Sequence, residues 1–294
     1  MVKVSYVYPN VSGILQRGGL LERWKLAKKL GCTYIEIPAD FIKNKTEIKK
    51  TGLKLGSFLN ESAIHILYKK DYKIPQELKY ILHTEPSLLR NDSYGILYQP
   101  PLEWYNEVWV KKFVCMVISI SKFFGIPPTI IELHPGDRKN SFEDILKSIM
   151  FLLDKYNEVF GVEPLILIEN RTRQFISNGR DINRFWKFLS ANYRDLKKKI
   201  GIVLDIQQLY TVTKENFQRE FEMVPLEALK GFHIHYKHRV PDLSDEIPWK
   251  LVFDRISNMK SNIIINPEIH HKNKVKDAIE FCEGMLHGRI SYGV

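Results

Sequence analysis

Six side chains able to bind a divalent metal stand where short apolar runs stop. His83 closes YILH, His134 closes TIIELH ahead of Pro135-Gly136, and Glu169 closes LILIE. Asp205 closes IGIVLD, His235 closes GFHIH, and Glu268 follows IIINP. Each alone has an ordinary explanation: a strand-end His is commonly a satisfied surface or core group, and an Asp there often caps the next helix. Six in succession ask for more. Carboxylates set directly after apolar runs cost several kcal/mol per ion unless a cation or a basic partner compensates. Three imidazoles and three carboxylates can serve two divalent ions, with one carboxylate bridging. Ion pairs with Arg171, Lys237 or Arg239 are the structural alternative.

Those runs belong to a regular alternation. Apolar segments rich in Val, Ile, Leu and Tyr cover residues 4–8, 34–37, 53–59, 80–85, 129–134, 165–169, 200–205, 231–236 and 262–268. Stretches with amphipathic spacing, at residues 20–30, 142–156, 181–193 and 248–259, fall between them. Near-continuous apolar strands alternating with helices predict a parallel sheet covered by helices. The length suits eight βα units closed into a (β/α)8 TIM barrel, whose strand ends all open onto one face. Nine segments compete for eight places, and residues 53–59 are the ones set aside, although His65 follows them closely. No GxGxxG follows the first strand, which argues against a dinucleotide fold. No linker, repeat or low-complexity tract divides residues 1–294, so a single domain is expected. Residues 85–110 interrupt the rhythm with Pro86, Tyr98, Pro100, Pro101, Trp104, Tyr105 and Trp109. They read as a loop packed by its own aromatics, or as a substrate-facing loop that stacks on bases.

Composition bounds the function classes. The chain has 294 residues, 44% of them apolar and 27% charged, which excludes disorder or a fibrous repeat as its main character. No apolar stretch approaches the roughly 20 residues of a spanning helix, so no membrane partner is expected. The opening MVKVSYVYPN lacks a signal-peptide pattern, and a cytoplasmic location is expected. Cys32, Cys115 and Cys282 are scattered and read as reduced thiols. A formal charge of +10 suits a polyanionic partner, and equally a need for solubility. Phe123, Phe124 and Trp186 read as core. Asp137 and Asn140 are expected to cap the helix beginning near Phe142. His233 is expected to point away from the barrel centre, and His270 and His271 to end the last strand.

HPGDRKNS, LILIENRT and IGIVLDIQQ, in this order and spacing, resemble the endonuclease IV family of zinc-dependent abasic-site endonucleases. The likeness is clearest over residues 129–210, and FIKNK after the second strand is similar to a family loop. It implies a TIM barrel of the wider xylose-isomerase-like group. It also implies His83, His134 and Glu169 around a first metal, with Glu169 bridging to a second held by Asp205, His235 and Glu268. Two zinc ions are implied, with manganese an alternative, and the partner is DNA carrying an abasic or damaged site. A monomer is the expected state.

The third family metal has no obvious home. Gln208 stands where the family has a histidine, and PDLSD replaces its DxH, leaving Asp242 followed by Ser244, with His238 a nearby substitute. Two metals can activate water against a phosphodiester, with Glu169 and Glu268 in the catalytic roles. Arg138, Arg171, Arg173 and Lys237 would grip flanking phosphates, and Gln208 and His238 would face the substrate. Three rivals remain. A sugar isomerase or epimerase of the same barrel group needs only Glu169, Asp205, His235 and Glu268. A UV-damage-type endonuclease shares the histidine-proline-glycine strand, but Arg171-Thr172 stands where its paired aspartates are expected. A binding descendant would keep the barrel without catalysis.

Overall fold

The computed structural model describes residues 2–11, 17–84, 90–91, 97–98 and 102–288. Eight parallel strands close into a barrel: β1 Val4–Tyr8, β2 Tyr34–Pro38, β3 Tyr80–His83, β4 Ile130–Leu133, β5 Leu165–Glu169, β6 Ile200–Asp205, β7 Leu229–His233 and β8 Ile263–Asn266. Each pairs with its neighbours in sequence order, and β8 returns to β1 through Tyr6 beside Ile265. The expected (β/α)8 barrel is therefore the fold. Residues 53–59 form no strand, and β3 begins at Tyr80.

The helices are α1 Leu20–Lys29, α2 Lys45–Thr51, α3 Glu61–Leu67, α4 Glu107–Phe124, α5 Phe142–Phe160, α6 Gly179–Asn192, α7 Ile206–Thr213, α8 Phe217–Met223, α9 Trp249–Ser257 and α10 Val275–Leu286. Their limits follow local chemistry. In α5, Ile145, Leu146, Ile149, Leu152, Leu153 and Tyr156 recur at helical spacing and are buried. Its start differs from expectation, because Ser141 is the cap and forms a reciprocal box with Asp144. Asn140 instead donates to the carbonyls of Leu102 and Pro135, and Asp137 accepts from the Lys139 amide. No described helix is long and apolar enough to cross a membrane. The three cysteines are free, and Phe123, Phe124 and Trp186 are buried as expected.

Two layers fill the barrel. Val7, Ile81, Ile130, Leu167, Val203 and Ile264 form a separate apolar cluster inside it. Because side chains alternate along a strand, residues two further on face the same way. Those positions hold His83, Glu132, Glu169, Asp205 and Asn266, all buried, directly above the plug. Near the opening, Trp104 and Trp109 of the 85–110 segment pack on Phe113, so these two indoles follow the packing reading. Pro86, Pro100 and Pro101, and the Tyr98 side chain, lie outside the described residues.

Outside the barrel, α6 and α8 approach so closely that Gly179 is required. A Cβ there would sit 1.7 Å from the Glu220 carbonyl oxygen. Gly179→Ala should destabilise the fold by about 1–3 kcal/mol through overpacking. Urea unfolding measures this, and an unchanged midpoint would contradict the tight α6–α8 contact.

Candidate metal centre

The strands bring five of the six sequence-selected residues into one buried layer, and Glu268 joins them from the loop after β8. His83 Nε2 lies 3.1 Å from His134 Nε2 and 3.1 Å from Glu169 Oε2, which is 3.6 Å from His134 Nε2. On the other side, His235 Nε2 lies 2.8 Å from Glu268 Oε2 and 3.6 Å from Asp205 Oδ2. His83 and Glu268 keep a slight side-chain exposure, and the other four are sealed from solvent.

His233 departs from expectation. It ends β7 fully buried, with Nε2 3.3 Å from Glu132 Oε2 and Nδ1 3.5 Å from both Glu169 Oε2 and Glu268 Oε2. Residues i and i+2 share one face of a strand, so His233 and His235 both turn toward the centre. Glu36 and Glu132 lie inside their strands and so fall outside the strand-end pattern. Glu36 Oε1 holds His83 Nδ1 at 2.7 Å, and its Oε2 accepts from the Asn10 amide and Asn266 Nδ2. The available signal was a single charge inside an otherwise apolar strand, in YIEIP and in TIIEL.

Local sequence sets this geometry. Gly136 takes a φ of 72°, and a Cβ there would come 2.3 Å from the Leu102 carbonyl oxygen, so the turn after His134 needs glycine. Trp104 Nε1 donates to the His134 carbonyl at 3.0 Å. Asn170 clamps β5 to β6, accepting from the Asp205 amide and donating to its carbonyl. Asp205 Oδ1 caps α7 through the Gln208 amide, which leaves Oδ2 for the centre. Glu268, Lys237 and His238 all carry positive φ, a strained backbone concentrated at the mouth.

The peripheral candidates divide. Arg171 is half-buried, with its guanidinium 4.0 Å from Glu169 Oε1. Gln208 turns its amide oxygen to the Thr172 amide. Lys237 is exposed and lies over the Tyr236 ring, and Arg138 and Arg173 are exposed. His238 stacks between His235 and His270, at ring separations of 4.5 and 4.0 Å. Asp242 binds Ser244, its own near neighbour.

The donor set fits divalent metal. Buried atoms without a directed hydrogen bond gather here, among them both Glu169 oxygens, Asp205 Oδ2, His233 Nδ1 and Glu268 Oε2. Candidate ligand atoms of His83, His134 and Glu169 converge, as do those of Asp205, His233 and Glu268, those of His235, His238 and Glu268, and those of Glu132, Glu169 and His233. Without a cation the imidazoles take protons instead. Burial disfavours the His83 and His233 cations, but the surrounding glutamates outweigh it and raise both well above the usual range. His235 is likewise raised to about 10 by Glu268 and Asp205. Burial and the His83 and Arg171 charges keep His134 neutral. Burial would raise Glu36, yet the His83 hydrogen bond and charge hold it at about 2.

No protein-family model matches this chain, and no curated protein does. Solved structures match it along its length. An AP endonuclease, family 2, from Brucella melitensis aligns over 96% of this chain and 98% of its own, at 12% identity and a TM-score of 0.56. A xylose isomerase domain protein from Alicyclobacillus acidocaldarius aligns over 97% and 98%, at 12% identity and 0.54. D-psicose 3-epimerase from Clostridium cellulolyticum H10, with D-tagatose, aligns over 97% and 99%, at 12% and 0.52. The fold is thus the TIM barrel of these proteins, whose names are those of an endonuclease, a xylose isomerase domain protein and an epimerase.

The His235 shift has a defined sign. A histidine raised from 6.5 to about 10 on folding adds stability that is complete below about pH 6.5 and lost as pH climbs through 10. In protein stripped of divalent ions, wild type should therefore lose more stability between pH 7 and pH 10 than His235→Asn. Urea unfolding at the two pH values measures it, and equal losses would contradict the assignment.

Proposed function

We propose that this protein is a metal-dependent phosphodiesterase acting on DNA at abasic or damaged sites, in the manner of the endonuclease IV family it resembles. The observation that carries this reading is the pairing of His83 and His134 on Glu169, a donor set additional to the Asp205, His233 and Glu268 group. One ion needs only the second group, whereas both together suit two ions sharing Glu169. His83 and His134 would hold the first with Glu169, and Asp205, Glu268 and either His233, at the end of β7, or His235, just beyond it, the second. Zinc fits this mixed nitrogen and oxygen set, and manganese is accommodated by it. Such ions supply Lewis acidity toward a phosphate oxygen and lower the pKa of water.

The remaining work falls to the chain. Glu268 is held ionised well below the usual carboxylate range, because His235 and His233 outweigh its burial. Kept as an anion and with its side chain partly exposed, it is the group placed to orient a water at the mouth. Arg171 and Lys237 supply positive charge at the opening for flanking phosphates, consistent with the +10 balance.

A second reading, sugar isomerisation or epimerisation, is favoured by the fate of the third-metal positions. Gln208 is engaged with Thr172 and Asp242 with Ser244, so neither is turned to an ion. Glu169, Asp205, His233 and Glu268 would then hold one ion.

A labelled duplex bearing one abasic site separates the two. With zinc or manganese, wild type should cut beside the lesion and leave an undamaged duplex intact. Glu169→Gln should lower the rate by about two orders of magnitude or more. No cutting by zinc-loaded protein, together with epimerisation of a ketose, would overturn the endonuclease reading in favour of the second.

A further inference from the structure

Two buried carboxylates have no part in the scheme above. Glu36 and Glu132 lie inside β2 and β4, and both are essentially inaccessible. Each forms a directed hydrogen bond to one nitrogen of one histidine: Glu36 to His83 Nδ1 at 2.7 Å, and Glu132 to His233 Nε2 at 3.3 Å. The opposite nitrogens behave differently. His83 Nε2 and His233 Nδ1 lie 3.1 and 3.5 Å from Glu169 Oε2, yet neither contact is aligned as a hydrogen bond. His83 Nε2 meets His134 Nε2 in a 3.1 Å hydrogen bond that a shared ion would replace, and His233 Nδ1 and both Glu169 oxygens have no hydrogen bond, whereas the carboxylate pairs lie behind this space.

We propose that Glu36 and Glu132 are positioning residues, each keeping a proton on the rear nitrogen of its histidine. His83 then offers Nε2, and His233 offers Nδ1, to a divalent ion. This rests on the metal-binding reading of the same site. A carboxylate behind an imidazole fixes its tautomer and ring orientation and makes it a stronger donor. Glu36 is well secured for that role, since Oε2 accepts from the Asn10 amide and from Asn266 Nδ2, each at 3.0 Å. Arg23 adds a contact of 3.4 Å to the Glu36 carbonyl. The Glu36 carboxylate on β2 thus links to β3 through His83 and to β8 through Asn266.

For His235 the opposite arrangement holds. Its Nδ1 accepts from the His238 amide at 3.1 Å, so a neutral ring carries its proton on Nε2, facing Glu268. His235 Nε2 thus meets Glu268 Oε2 as a 2.8 Å charge contact without hydrogen-bond alignment, and His233 Nδ1 is the nitrogen of β7 left without a hydrogen bond. Glu132 has one competing role. Its ligand atoms also lie near those of Glu169 and His233, so it could bind an ion directly. An ion shared by Glu132 and Nε2 of His233 would take the nitrogen now bonded to Glu132. The two roles use opposite ring nitrogens and are separable.

Nitrogen-15 NMR of histidine-labelled, zinc-loaded protein distinguishes metal-bound from protonated ring nitrogens. The expected result is Nε2 bound in His83 and Nδ1 bound in His233, with the partner nitrogen protonated in each. Chelator competition should show zinc held about 10- to 100-fold less tightly in Glu36→Gln and in Glu132→Gln. Melting of the metal-free variants checks that they fold. Should a variant fail to fold, the wild-type nitrogen assignment decides alone. Zinc on Nε2 of His233, or on Nδ1 of His83, overturns the proposal, as does unchanged affinity in both folded variants. A wild-type protein that takes up no zinc refutes the metal-binding reading itself, and this inference with it.

Discussion

The structure turns on the cost of burying charge. Five carboxylates and four histidines occupy the end of a barrel whose floor is six aliphatic side chains. Carboxylates in such a setting need cations, and the chain supplies them as imidazolium groups raised by their neighbours. His134 is the exception, kept neutral by burial and by the cations beside it. Protons and divalent ions are alternative answers to the same electrostatic demand, and loading metal means releasing protons. Strand registry, the Asn170 clamp and the Gly136 turn all serve to hold these groups where one answer or the other is required.

Much of this was legible in the sequence because a barrel strand writes its interior with period two. His83, Glu169 and Asp205 end apolar runs and end strands, so their convergence followed from topology alone. Glu36 and Glu132 are harder to see because they lie within runs, where a lone charge looks like an interruption of the apolar pattern and is instead part of the buried polar layer. His233 was assigned outward although it shares a strand face with His235. The helix start at Ser141 was likewise missed. Asn140 resembles a cap in sequence, but its amide is drawn to Leu102 and Pro135, a pairing across 38 residues for Leu102 that no local pattern encodes.

The fold by itself selects no chemistry. Neighbours at 12% identity include an AP endonuclease and a D-psicose 3-epimerase, and they share the barrel with this chain. Discrimination lies in the particular donors: two histidines on Glu169, a glutamine at position 208, and an Asp242 turned upon its own loop. Such substitutions at the rim leave the strand-borne layer intact, which is how one scaffold accommodates different reactions.

The plug beneath the polar layer has a kinetic consequence. Val7, Ile81, Ile130, Leu167, Val203 and Ile264 close the barrel from below, so the route to Glu169 leads past Glu268, the carboxylate of this group that keeps solvent contact. Glu268 sits on strained backbone at that threshold. An ion bound beside Glu169 would exchange past Glu268 and His83, the two groups of this layer with the greatest side-chain exposure, so its residence would depend on passage as well as on the strength of its bonds.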